Sequence, residues 1–321
     1  MSAALRLARY SSFHVGGTRV SVTGEVTGPL KLSSEMPFVE HSNDGDYVVD
    51  QAYVQCFEPE DRRFETPVLL IHGGGLTGAI WETTADGQPG WVTRLLQAGL
   101  AVHVIDNVER GRAGWCALPG HARGDPVLRS DQEAWSLYRL GAASDFASRR
   151  PFPGQQFPVQ HVDRLSRQHV PRWTTSDAAT EAALLEALRQ IGPAVLVGHS
   201  QGGGFAFRTA YRHPELIPAC LGIEPHGVPL PNGTVGPDGQ SYAVLFGDFI
   251  SHSPLWVDLA GRATVAIGAL AERGDRAEML DLPAMGIMGN SHMPMLDRNS
   301  DQVVAEVVRW LDRLKDSGWL R

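Results

Sequence analysis

Short apolar runs alternate with stretches of helical spacing along most of the chain. Residues 67–71, 100–105, 194–197, 218–223 and 242–246 are nearly continuous apolar runs, the pattern of strands buried on both faces of a sheet. Residues 283–288 predict the last strand. Between these runs, residues 91–98, 178–191, 258–272 and 301–315 predict helices, as does the segment from Gln201 to about His213, which Pro214 stops. In the helix over 178–191, Leu184, Leu185, Leu188 and Ile191 fall on one face, and Ser176-Asp177 supplies an N-cap signal ahead of it. Strand, helix and strand in that order make right-handed crossover units and hence a parallel sheet. Nearer the N-terminus, residues 12–22 alternate around Gly16-Gly17 and predict a β-hairpin, and residues 47–57 predict a further strand.

Periodicity weakens from about Trp115 to Thr175, where Pro, Arg, Gly and aromatic residues are dense: Trp115, Trp135, Tyr138, Phe146, Phe152, Phe157 and Trp173. A structureless loop of that length does not suit a compact domain. The expectation is one domain, with residues 1–108 and 176–321 as its core and 109–175 inserted as a partly helical cap or lid. Some cap aromatics would line an apolar pocket, and about half would only pack the cap onto the body.

Composition narrows the function. Of 321 residues, 43% are hydrophobic and 20% charged, ordinary for a folded protein of one large domain or two smaller ones. The 28 Lys and Arg against 36 Asp and Glu leave a charge of −8, which disfavours nucleic acid or an anionic membrane as partner. Cys56, Cys116 and Cys220 are too few and scattered for a disulfide framework or a zinc site. Residues 1–10 hold two basic residues with no apolar run behind them, and no stretch approaches ~18 uninterrupted apolar residues. The reading is a soluble, cytoplasmic protein; a homodimer is left open.

The candidate chemistry gathers on Gly198-His199-Ser200-Gln201-Gly202, set between an apolar run and a helix-like segment. That is the context of a G-x-S-x-G turn that holds a serine hydroxyl exposed, with glycines where side chains two residues either side of the serine would collide. A serine is a poor nucleophile without a base, and the base needs a carboxylate to orient it. His292, in a loop before the last helix, is the best base, because the order Ser, acid, His suits such a sheet. His199 sits inside the turn and should point away from the serine, and His72 should be structural. Glu224 and Asp248 each follow a strand and are near even as the acid. Backbone N–H groups of Gly73-Gly74-Gly75 and of Gln201 could hold an oxyanion, each such donor being worth ~3 kcal/mol elsewhere. The glycine run matches neither phosphate-binding pattern, and no metal-ligand spacing appears, so no cofactor or metal is expected.

His72 to Gly75, Asp106 with Arg110-Gly111-Arg112, the 198–202 turn and His292 stand in the order of the α/β-hydrolase superfamily, which the chain resembles from about Tyr10 to Leu311. More narrowly it resembles the bacterial serine esterase group typified by esterase 713. The residues carrying this are Gly74-Gly75-Leu76-Thr77-Gly78 with Trp81-Glu82, then Ile223-Glu224-Pro225 and Gly289-Asn290-Ser291-His292-Met293. The resemblance implies an α/β-hydrolase fold with a mostly parallel central sheet flanked by helices. It implies Glu224 rather than Asp248 as the acid, and Gly74 and Gln201 as oxyanion donors. The type member has adjacent cysteines where this chain has Gly74-Gly75, so a redox-sensitive loop does not carry over.

The expectation is a serine hydrolase that cleaves a small-molecule carboxylic ester or lactone through an acyl-enzyme on Ser200, with Trp81 and Trp115 lining the substrate pocket. The rivals are a lyase or C–C bond hydrolase using the same three residues, and a non-catalytic binding module on a hydrolase scaffold.

Overall fold

In the computed structural model, which describes residues 5–118, 120–121, 123–231 and 239–320, eight strands form one sheet. The strands in chain order are β1 (Leu7–Val22), β4 (Gly45–Pro59), β5 (Val68–Ile71), β6 (Val102–Asp106), β7 (Val195–His199), β8 (Ala219–Ile223), β9 (Ser241–Phe246) and β10 (Arg276–Asp281). Short strands β2 (Gly28–Leu30) and β3 (Val39–His41) pair separately. The order across the large sheet is β1-β4-β6-β5-β7-β8-β9-β10. β4 runs antiparallel to both neighbours, and every pair from β6 to β10 is parallel.

Helices cover both faces. Alternate residues of the central strands point to opposite sides, so Val68, Leu70, Val195 and Val197 join one apolar cluster and Leu69, Ile71 and Leu196 the other. The first cluster takes in α1 (Trp91–Gln97) and α7 (Ser300–Asp316). The second takes in α4 (Asp177–Ile191), α5 (Gln201–Arg212) and α6 (Pro254–Arg273). Between β6 and α4 lie two more helices, α2 (Asp131–Leu137) and α3 (Val162–Ser166), among short 3-10 turns. An isolated antiparallel bridge joins Val127 to Arg172 across this segment.

Two predicted elements differ. The expected hairpin over 12–22 is instead part of the single 16-residue strand β1, paired along its length with β4. Gly16 and Gly17, at φ 70° and 92°, bend the strand rather than reverse it. The bend is where α4 crosses, because a Cβ on Gly16 would lie 3.0 Å from the Cα of Ala183. The last strand is 276–281, not 283–288. As an edge strand paired only to β9 it is mostly half-buried, which mutes its apolar signal. The apolar residues Met285 and Met288 are exposed, Met285 in a turn and Met288 in the irregular loop after it.

The strand order also locates the site. β5 is followed in sequence by β6 on one side, while β7 lies on its other side, so the chain reverses direction across the sheet at β5 and β7. Ligand crevices form at such reversals, outside the carboxyl ends of the strands.

Candidate active site

β7 ends at His199 and α5 begins at Gln201, leaving Ser200 between them at φ 52° and ψ −115°. Such a backbone costs a non-glycine residue about 1–3 kcal/mol and persists only where its surroundings enforce it. Here the Ser200 N–H donates to the Ile223 carbonyl and the His226 N–H donates to the Ser200 carbonyl, each at 2.9 Å. The flanking glycines have the predicted cause. A Cβ on Gly198 would overlap the Gly202 carbonyl, and one on Gly202 would lie 2.5 Å from the His72 carbonyl oxygen and 2.6 Å from that of Ile71. Because those neighbours are backbone of central strands and turns, Gly202→Ala should destabilise the fold by about 3 kcal/mol or more, within the range of overpacked cores. Urea denaturation measures this; a loss under 1 kcal/mol would contradict the packing.

Which carboxylate meets His292 is set by where β8 and β9 end. Glu224, fully buried at φ 49°, reaches His292, whose Nδ1 lies 3.4 Å from Glu224 Oε2. Asp248 is occupied elsewhere: its carboxylate accepts the Phe249 N–H at 2.7 Å and the Gly289 N–H at 3.0 Å, bracing the loop that leads to His292.

Glu224 has a second partner that sequence reasoning missed. The buried guanidinium of Arg139, just past α2, donates through Nη2 to Oε1 at 2.7 Å and through Nη1 to Oε2 at 2.9 Å. Its Nε donates to the Asp248 carbonyl at 2.9 Å, and the Gly247 N–H adds a bond to Oε1 at 2.6 Å. Sharing Oε2 with Arg139 accounts for the long His292 contact. Burial alone would raise the Glu224 carboxyl, but Arg139 and His292 bring it down to about 2. Burial takes His292 down to about 4 against the pull of Glu224, with Arg139 adding to the lowering.

His292 is held from several sides. Tyr138 stacks on its ring at 5.5 Å between centroids and Trp256 packs at 4.3 Å. The His292 N–H donates to the Tyr138 carbonyl at 3.0 Å. The ring of His199 lies 2.9 Å, through Nε2, from the His292 carbonyl, and His199 lines the same cavity as Ser200. The loop before His292 is fixed by buried Asp297, which accepts from the Ser291 N–H at 2.9 Å and from the Ser291 hydroxyl at 2.7 Å. His72 is structural as expected: its Nε2 accepts the Asn107 N–H at 3.0 Å, and its Nδ1 lies 2.8 Å from the Gly73 carbonyl. That pair of bonds requires the neutral ring with its proton on Nδ1.

Ser200, His292, Gly74 and Gln201 line one cavity of about 210 Å³. Trp81 does not. It is fully buried against Trp91, at 5.5 Å between centroids, and edge-on to His199 at 6.5 Å, so it supports the site from behind. Trp115 does not line it either: it is 61% exposed and packs, tilted, on Trp173 at 5.6 Å between centroids. Of the cap aromatics, Tyr138 alone among the described residues reaches the cavity, while Trp135 and Phe157 are buried in packing. The other walls from the same segment are Leu137 and the charged Arg129, Glu133 and Arg172. Arg139, Arg129 and Arg172 carried no usable sequence signal, because an arginine in an aperiodic segment reads as surface. Trp256 was hidden at the start of a helix whose apolar face is its own explanation.

Among the described residues no group of three or more His, Cys, Asp or Glu could hold a metal ion, and no helix is long and apolar enough to cross a membrane. Cys56 and Cys220 are buried and Cys116 is half-buried, all as free thiols.

A three-layer sandwich with a strained serine between strand and helix, and a histidine and carboxylate at the same sheet edge, defines a class. Residues 66–250 match the family described as the alpha/beta hydrolase fold, and the chain belongs to it. A bacterial esterase solved at atomic resolution is 33% identical, with 98% of each chain covered and a TM-score of 0.84. A curated protein described as a probable secreted lipase, phiG, from a fungal species (strain ATCC 74256) is 26% identical over 84% of this chain and 88% of its own length.

Proposed function

We propose that the protein is a serine esterase whose nucleophile is Ser200, with His292 as base, Glu224 as the orienting acid, and the Gly74 and Gln201 N–H groups as oxyanion donors. The observation that carries this is the strained Ser200 in one cavity with His292, whose Nδ1 faces the buried Glu224 carboxylate. The similarity to a bacterial esterase over nearly the whole chain favours an ester over the lyase and C–C hydrolase readings. With the Nδ1 proton directed at Glu224, Nε2 of His292 is left to take the Ser200 proton as Oγ attacks the carbonyl. The alkoxide leaves with that proton, water repeats the attack on the acyl-enzyme, and the acid and Ser200 are released. No cofactor is needed.

A fluorophosphonate probe should label the wild-type protein and fail on Ser200→Ala; an unlabelled wild type would favour a binding module. The substrate is then classed by turnover across short, long and bulky acyl esters and lactones.

The buried imidazole also sets a pH expectation. Its folded-state pKa lies below the ordinary 6.5, at about 4, so between those values the unfolded chain binds the extra proton and stability falls as pH falls. Lowered carboxyl Glu224 acts in the same direction, its contribution being lost as pH drops from about 4.5 toward 2. The acid limb of kcat/KM, which reports the free enzyme's base, should lie well below pH 6.5. A limb at 6.5 or above would show that His292 is more solvated than its burial indicates.

A further inference from the structure

Two arginines, Arg129 and Arg172, line the cavity beside Ser200, with Glu133 as its one acid and leucine and aromatic side chains between them. The backbone bridge between Val127 and Arg172, in which the Val127 N–H donates to the Arg172 carbonyl at 2.7 Å, sets residues 127 and 172 opposite each other. Side chains two residues apart on an extended segment share a face, so Arg129 and Arg172 project together, and both line the cavity. Arg172 is half-buried and its guanidinium lies directly against Gly74, where a Cβ would strike Nη1 and approach the Gln201 amide oxygen at 3.1 Å. Among the described residues no group accepts a hydrogen bond from its side chain, and its Nε is buried without a partner. Arg129 lies over the Tyr138 ring and gives Nη1 to Glu133 at 2.7 Å, while its Nε is likewise unpartnered.

The nearby acids do not neutralise the pair. Glu133 serves Arg129 and is half exposed, and Asp177, also half exposed, is 3.6 Å from Arg208. Burial pushes the Arg172 guanidinium down, and Arg129 pushes it further. Buried Arg110, countered by Glu109, also feels Arg172, and burial together with Arg172 lowers the His226 imidazole. A like-charged pair with one half-exposed counter-charge is unfavourable in the free protein. A bound anion would relieve it, and a planar guanidinium with free N–H groups matches a carboxylate in two-point contact.

We infer that Arg172, assisted by Arg129, forms an anion subsite beside Ser200, and that the preferred substrate is a short ester carrying a free carboxylate a few bonds from the scissile carbonyl. This rests on the esterase reading for the reaction, but not for the binding. The cavity volume of about 210 Å³ suits a small diacid half-ester rather than a long acyl chain.

Monoethyl glutarate and ethyl pentanoate differ only in a terminal carboxylate against a methyl group. In a pH-stat assay the wild type should favour the glutarate ester in kcat/KM. Arg172→Gln should lower the ratio of the two values by roughly 10- to 100-fold, the worth of a charge-assisted pair, and Arg172→Lys should restore part of it. A wild type that favours the pentanoate ester, or a ratio unchanged in Arg172→Gln, overturns the subsite; equal losses on both esters would assign Arg172 to the oxyanion instead. Calorimetry of glutarate binding to Ser200→Ala separates the two readings. Glutarate that binds, and binds at least tenfold more weakly once Arg172→Gln is added, upholds the subsite even if no ester is cleaved. Ester cleavage by the wild type without glutarate binding upholds the esterase and rejects the subsite.

Discussion

Replacing Ser200 by alanine should lower kcat for any ester substrate by about 10⁴-fold or more while leaving the protein folded, because removal of a nucleophile that acts as a unit with its base forfeits nearly all of the shared effect. The residual rate would come from binding and the oxyanion donors alone. The same position offers a control for the strain argument. Ser200 is held at φ 52° and ψ −115°, a backbone that glycine adopts without penalty. Ser200→Gly should therefore be as inactive as Ser200→Ala but more stable than it, by about 1 kcal/mol or more. Matched urea denaturation of the two variants measures this. A Ser200→Gly protein no more stable than Ser200→Ala would mean that the turn is not strained.

The second large effect is at the acid. Glu224→Gln keeps the shape but offers His292 Nδ1 no charge, and kcat should drop by about 10³- to 10⁴-fold, as expected when the imidazole loses its orienting carboxylate. Asp248→Asn should cost less than tenfold, since its oxygens hold the backbone N–H groups of Phe249 and Gly289 and not the imidazole. The reverse ranking would transfer the acid to Asp248. Arg139 couples to this pair without touching the reacting atoms. Arg139→Met leaves the Glu224 charge buried with only the Gly247 N–H and His292 as partners, and should destabilise the fold by about 3–5 kcal/mol. It also removes a cation that lowers the His292 pKa, so the acid limb of the kcat/KM profile should move to higher pH. A merely structural arginine would leave that limb in place.

The two largest effects fall where the sequence was most and least informative. Ser200 was legible because its requirements are local. A turn between a buried strand and a helix needs glycine at 198 and 202 for steric reasons that five residues express. The central strands were legible for a similar reason: burial on both faces leaves an uninterrupted apolar run. The edge strand β10 was misplaced because half its surface meets solvent, and Gly16-Gly17 was misread because a bend under a crossing helix and a reversing turn use the same two residues.

What the chain alone determined, then, is the layer architecture, the serine turn and a short list of partners at the strand ends. Which of Glu224 and Asp248 meets the His292 ring belonged to the tertiary structure. Both follow a strand, and only the packing of the loops after β8, β9 and β10 shows that one carboxylate meets His292 while the other braces backbone. The same holds for Arg139, Arg129 and Arg172. They come from a segment without periodicity, and nothing in a sequence distinguishes an arginine in water from one that folding sets beside a buried carboxylate or an unpaired twin. Local sterics are written in neighbouring residues, whereas charge pairing across 85 positions, as between Arg139 and Glu224, exists only once the chain has closed on itself.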